Sequence, residues 1–185
     1  MEDVEAARRF ILALEESRTQ YMLVGSLSSI LYSYPRTTKD VDVVFQAPSG
    51  MASRLMQLLG PEFRLDRQMM FETITGTYRQ VIEVVDSVFK LELFRLSDDA
   101  HDQVRFTRKR KAIVEPLNLE VWVPTPEDVI VTKLRWARNK DREDVAAVIG
   151  VQGNAIDWDY VHHWTEQHGT RKLLDEIRAS IPQID

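Results

Sequence analysis

The chain has 185 residues, a formal net charge of −5 and a hydrophobic share of 44%. That balance suits one globular domain with an ordinary core, and excludes a chain coated in cations for non-specific nucleic-acid binding. The absence of cysteine excludes disulfides and thiolate metal sites. No apolar run approaches the roughly 18 residues a membrane span needs, and the opening MEDVEAARRF lacks the layout of a signal peptide, so a cytoplasmic protein with no membrane contact is expected.

Val4, Ala7, Phe10, Ile11 and Leu14 recur at steps of three and four, which predicts an amphipathic helix over residues 2–18. Tyr21 to Val24 reads as a strand ending at Gly25. Ser26 is placed to cap a helix over Leu27–Tyr32, stopped by Pro35. Val41 to Phe45 is rich in β-branched residues and predicts the next strand. Pro48-Ser49-Gly50 reads as a loop before a helix through Met51–Leu59, which ends at Gly60-Pro61. The stretch from Phe63 to Thr77 is expected to hold a helix in its middle. Gln80–Val85 and Val88–Phe94 form a predicted hairpin around Asp86-Ser87.

SDDAHDQVRF predicts a short helix. Ala112–Val114 and Leu119–Val123 predict a second pair of strands around Pro116-Leu117-Asn118. Thr125-Pro126-Glu127-Asp128 is a helix start: Thr125 can cap, Pro126 suits the first turn, and the acids favour the positive end of the dipole. Helical patterning then runs to the C-terminus, broken at Gly150–Asn154 and Gly169. The order is α+β rather than a regular βαβ series.

The stretch LVGSLSSILYSYPRTTKDVDVVF, Leu23 to Phe45, carries the chemistry. Residues two apart on a strand share a face, so Asp40 and Asp42 point one way, and Val41, Val43 and Phe45 the other. Two carboxylates that close repel unless a cation sits between them. Magnesium, a hard ion held by one or two carboxylates plus substrate phosphates, is the natural cation. A strand that ends in Gly25-Ser26 and turns into a helix aims free N–H groups outward, a seat for phosphate.

These residues, Gly-Ser, a short helix, then R-T-T-K-D-V-D, resemble the signature of the nucleotidyltransferase superfamily with the DNA polymerase β-like fold. The likeness is greatest to small bacterial members, including abortive-infection type toxins. The resemblance implies a mixed β-sheet flanked by helices. It implies a nucleotidyltransferase-like core at residues 1–124 and a helical part at 125–185 packed on it. It further implies that Gly25 and Ser26 bind the triphosphate of an NTP, and that Asp40 and Asp42 hold two divalent metals, Mg2+ or Mn2+. A third acid is expected from a later strand. Glu92 in VFKLELF stands where similar proteins usually carry Asp, and is the candidate third ligand or base; Glu83 and Asp86 compete with it, and Glu92 and Lys90 also fit a solvent face paired to Glu83.

In TPEDVIVTKLRWARNKDREDV, Lys133 shares the apolar stripe of Ile130, Leu134 and Ala137, so its ammonium must snorkel or meet a partner. The resemblance implies a phosphate contact; a salt bridge to a core-edge acid, with Asp141 capping the next helix, is the alternative. Asp144 is placed to orient Lys133 or the nucleotide. Arg36 is placed to touch a phosphate or the acceptor, or to anchor its loop. Arg105, Arg108, Lys109, Arg110 and Lys111 form a basic run that could dock an RNA acceptor. His162, His163 and His168 lack ligand spacing, and Trp136, Trp158 and Trp164 read as packing. There is no phosphate-binding Gly-rich loop ending in Lys-Ser/Thr and no nucleophile elbow.

The expected activity is transfer of a nucleoside monophosphate from an NTP to a hydroxyl of RNA, a protein or a small molecule. A toxin working beside a cognate antitoxin fits that pattern. The rival reading, favoured by Glu at position 92, is a nucleotide-binding or protein-interaction domain that keeps the fold without catalysis.

Overall fold

The computed structural model describes residues 1–46, 50–115 and 117–182. The expected loop at Pro48-Ser49 and Pro116 of the expected turn lie outside the described residues. Strands β1 (Gln20–Val24), β2 (Asp40–Gln46), β3 (Phe63–Leu65), β5 (Thr77–Val84) and β6 (Lys90–Arg95) make a sheet in the order β1-β2-β6-β5-β3, and β4 (Met70–Glu72) also pairs with β5. Among the described residues the central β2–β6 pair is the parallel one, and the other pairs of this sheet are antiparallel. The mixed sheet and its flanking helices are the α+β architecture the sequence predicts.

One face of the sheet is closed by α1 (Asp3–Glu16) and α3 (Met51–Leu59). Phe10, Ile11 and Leu14 of α1 meet Leu55 and Leu59 of α3 over Val41, Val43, Leu91, Leu93 and Ile82 in a single apolar cluster. The alternation on β2 explains why: Val41 and Val43 face this core, so Asp40 and Asp42 face the other side. On that other side Met22, Val24 and Val44 make a small cluster with Phe106 of α4 (Ala100–Arg108), leaving open the ends of the strands that carry the acids.

The hairpin β7 (Arg110–Val114) and β8 (Leu119–Val123) packs beside β1. Thr125 then caps α5 (Pro126–Trp136), its hydroxyl accepting from the Asp128 N–H as the sequence predicts. Helices α5, α6 (Asn139–Gln152), α7 (Trp158–Gln167) and α8 (Arg171–Ser180) share a second apolar cluster with Tyr32 from the end of α2 (Gly25–Leu31). The helical run has one more break than the glycines suggest, at Ala137, which takes φ of 52° and turns α5 into α6.

Two expectations are corrected. The middle of Phe63–Thr77 is not helical: its three-residue strands β3 and β4 pair with β5, and tertiary pairing outweighs the local pattern. Ser26 does not cap α2, because the helix starts at Gly25 with Val24 before it and no side-chain cap. Ser26 is buried within the first turn, while Ser28 and Ser29 donate to the Gly25 carbonyl at 2.9 and 3.2 Å.

Candidate active site

The open strand ends, the α2 turn and the α5–α6 corner enclose one cavity. Asp40, Asp42, Glu92, Gly25, Ser28 and Lys133 all line it. Asp42 and Glu92 are register partners across the parallel β2–β6 pair, so their carboxylates issue side by side from neighbouring strands. Asp40 accepts from the Thr38 hydroxyl at 2.7 Å, which fixes the loop before β2. Burial, then the negative charges of Asp40 and Glu92, push the Asp42 carboxyl up to about 7, against the opposing pull of Lys133 and Lys140. Such a cluster is short of positive charge.

Gly25 is required where it stands. It has φ of 66°, and a Cβ there would collide with the Asp42 carboxylate, lying 2.7 Å from its Cγ. The turn that leads into α2 therefore lies directly against the acid pair.

Lys133 closes the opposite wall. It is 6% exposed and held by Asp144 Oδ2 at 2.8 Å and Asp141 Oδ1 at 3.1 Å. Asp141 also accepts from the Arg138 backbone N–H at 3.2 Å and from its Nε at 2.6 Å, so it helps start α6 as well as pairing with Lys133. Burial alone would raise the Asp141 carboxyl; the hydrogen bonds and charges of Arg138 and Lys133 hold it below its ordinary value. Asp144 lies just behind, bridging Lys133 to Arg36, whose Nη2 is 2.9 and 3.1 Å from its two oxygens. Arg36 thus anchors the loop before β2 to α6, one of the roles its position allows.

Of the remaining predicted residues Arg105 also lines the cavity, and the others fall elsewhere. Ser26 is buried and does not line the cavity, whereas Ser28 does. Glu83 pairs with Arg64 across the β3–β5 pair, and Asp86 sits in the β5–β6 turn with φ of 61°. The basic run is dispersed. Arg105 is buried against Asp102 at 2.7 Å, Arg108 covers the Tyr160 ring, and Lys109 covers Phe106. Arg110 donates to the Tyr32 hydroxyl at 3.1 Å, and Lys111 lies 3.6 Å from Glu15.

Several cavity residues escaped the sequence reading: Arg79, Trp136, Arg138 and Lys140. Trp136, expected only to pack, carries the Arg138 guanidinium 5.0 Å from its ring centre. Arg79 donates to Glu92 at 2.7 Å. The hairpin register holds the signal for it: Val81 opposes Glu92, which makes Arg79 a diagonal neighbour within reach of a long side chain.

The family model described as nucleotidyltransferase of unknown function (DUF6036) matches residues 3–180. The chain belongs to this family. No curated protein matches it. Among solved structures, this nucleotidyltransferase is similar to ANT(2'')-Ia in complex with adenylyl-2''-tobramycin, at 16% identity and a TM-score of 0.57, covering 91% of this chain and 98% of that one. It is similar to JHP933 from Helicobacter pylori at 15% identity and a TM-score of 0.53, covering 98% and 79%. An antigenic nucleotidyltransferase-like protein from Paracoccidioides brasiliensis, at 15% identity and a TM-score of 0.53, covers 99% and 95%. These likenesses establish the shared fold, the one that the Gly-Ser and Asp-Val-Asp stretch suggests.

Proposed function

We infer that this nucleotidyltransferase moves a nucleoside monophosphate from an NTP to a hydroxyl acceptor, with release of pyrophosphate, and that Asp40 and Asp42 hold the divalent cation. One observation carries the reading: Asp40, Asp42, the Gly25 turn and the Lys133 corner face a single cavity. Among the described residues no three Asp, Glu, His or Cys side chains form a metal cage, so the fit rests on the paired aspartates. It is a good fit in chemistry, since both are oxygen donors and Asp42 is destabilised as an anion by burial and by its acidic neighbours. Mg2+ or Mn2+ bound there would supply Lewis-acid polarisation of the transferred phosphoryl group and offset its charge.

The chain's own groups do the positioning. The α2 turn beside Asp42 offers its backbone N–H groups to the triphosphate. Ser26 contributes through the backbone of that turn, its side chain being buried. Arg138 and Lys140 bring positive charge to the rim, and Lys133 braces the wall through Asp141 and Asp144. Arg36 and Asp144 act together by fixing the loop that delivers Asp40. The acceleration comes from orientation and charge stabilisation.

For the acceptor, the dispersal of Arg105–Lys111 weakens the case for RNA docking along that run, since its cations are already engaged within the fold. A small hydroxylated molecule entering beside β5 suits the cavity better, in line with the adenylylated tobramycin held by ANT(2'')-Ia. A toxin role under an antitoxin belongs to the RNA alternative. The engagement of Glu92 by Arg79 supports a second reading, a nucleotide-binding domain without transfer.

Incubation with α-labelled NTPs and Mg2+ or Mn2+ decides among these, using total RNA, the protein itself or polyhydroxylated amines as acceptor. Label on the small molecules is expected. Label on RNA alone would restore the toxin reading, and saturable NTP binding with no transfer to any acceptor would favour the binding domain.

A further inference from the structure

The pairing of Arg79 with Glu92 departs from a cluster of three free carboxylates. Arg79 Nη1 lies 2.7 Å from Glu92 Oε2, with side-chain exposures of 30% and 17%. Its position is fixed by the sheet: β5 and β6 are antiparallel with Val81 opposite Glu92, so the contact is the diagonal one. The guanidinium is also held on its other sides, 5.8 Å from the Phe94 ring centre and 3.3 Å from the Met70 sulfur. Both partners line the cavity with Asp40 and Asp42.

We propose that Arg79 is a built-in counter-cation that withdraws Glu92 from metal ligation and leaves Asp40 and Asp42 as the seat of a single divalent ion. The proposal rests on the nucleotidyl-transfer reading above, which supplies the first ion. A guanidinium stays charged at any working pH and grips a carboxylate through a fixed fork of donors. Before nucleotide enters, one dication balances the charge of the cluster formed by Asp40, Asp42, Glu92 and Arg79, and a second would leave that cluster positive. The extra methylene of glutamate lets the carboxylate reach the Arg79 guanidinium on the neighbouring strand. Arg79 is a positioning residue: it sets what Glu92 can touch.

The test counts bound Mn2+ by electron paramagnetic resonance, on the intact protein with Mn2+ alone. The wild type is expected to bind one ion per chain, without the spectrum of an exchange-coupled pair. Arg79→Met is expected to bind two, with the coupled signal, and Arg79→Lys, which keeps the charge, to remain at one. Two ions in the wild type overturn the proposal, and so does a folded Arg79→Met that still binds one. The wild-type count decides even if Arg79→Met does not fold, since one ion supports the proposal and two refute it. No Mn2+ bound by the wild type would overturn the Asp40–Asp42 seat itself, a failure distinct from that of Arg79.

Discussion

The α-carbon of Gly25 faces the Asp42 carboxylate so closely that no side chain fits between them. The strand that ends at Gly25 and the strand that carries Asp42 are neighbours, with Val24 and Asp42 in register. The left-handed turn and the acid are therefore one device. Gly25→Ala is expected to lose about 1–2 kcal/mol from the backbone conformation alone. Displacement of Asp42 adds to that, and Mn2+ affinity should fall at least about tenfold, the penalty for roughly 1.4 kcal/mol of lost binding. Thermal melting and a Mn2+ titration check both; unchanged metal affinity would separate the turn from the acid.

Lys133 is a structural keystone as well as a cavity residue. Its ammonium satisfies Asp141 and Asp144, both almost wholly buried. Leaving a buried charge unpaired typically costs about 3–5 kcal/mol; here Arg138 still holds Asp141 and Arg36 still holds Asp144, so the cost is expected to be smaller. Lys133→Ala should therefore lower the melting temperature measurably, and an unchanged melting temperature would contradict this structural role.

Arg36→Ala should behave differently. The side chain is 40% exposed and Asp144 keeps Lys133, so the stability cost is expected to stay within about 1 kcal/mol. The loop that delivers Asp40 loses its tether to α6, so the effect is expected in KM for the NTP. Steady-state kinetics beside a melting curve distinguish the two.

A pH response is built into the far end of the helical cluster. His168 is pushed down to about 4, by burial first, then by Arg135 and His101, against the pull of Asp99 and Asp102. His101, edge-on 5.5 Å away, is also lowered, chiefly by burial. A histidine whose folded pKa is depressed favours folding while neutral, so this stability is present above the ordinary value near 6.5 and is lost as pH falls through about 4. His168→Gln should flatten the fall in melting temperature across that window, and an unchanged slope would rule His168 out as its source.

Much of this was legible in the chain. The period of α1, the β-branched run of β2, the Thr125 start of α5 and the turn at Asp86 all agree with their tertiary setting, so local pattern and fold coincide. The acid pair was legible for the same reason, because strand alternation forces Asp40 and Asp42 onto the face opposite Val41 and Val43. What sequence left hidden depends on pairing between distant segments. Strands of three residues such as β3 and β4 carry too short a pattern to reveal a period, and only their partner β5 defines them. Arg79 becomes meaningful only once the β5–β6 register is known, and Arg138 only once Ala137 turns the chain between two helices.

The most direct test of the central claim follows the label of an NTP in the presence of Mg2+ and an accepting hydroxyl compound. Transfer from α-labelled but not γ-labelled NTP, with pyrophosphate released and transfer lost in both Asp40→Asn and Asp42→Asn, is the predicted result. Transfer of the γ label, or α-label transfer undiminished in the Asp40→Asn/Asp42→Asn double variant, would contradict it.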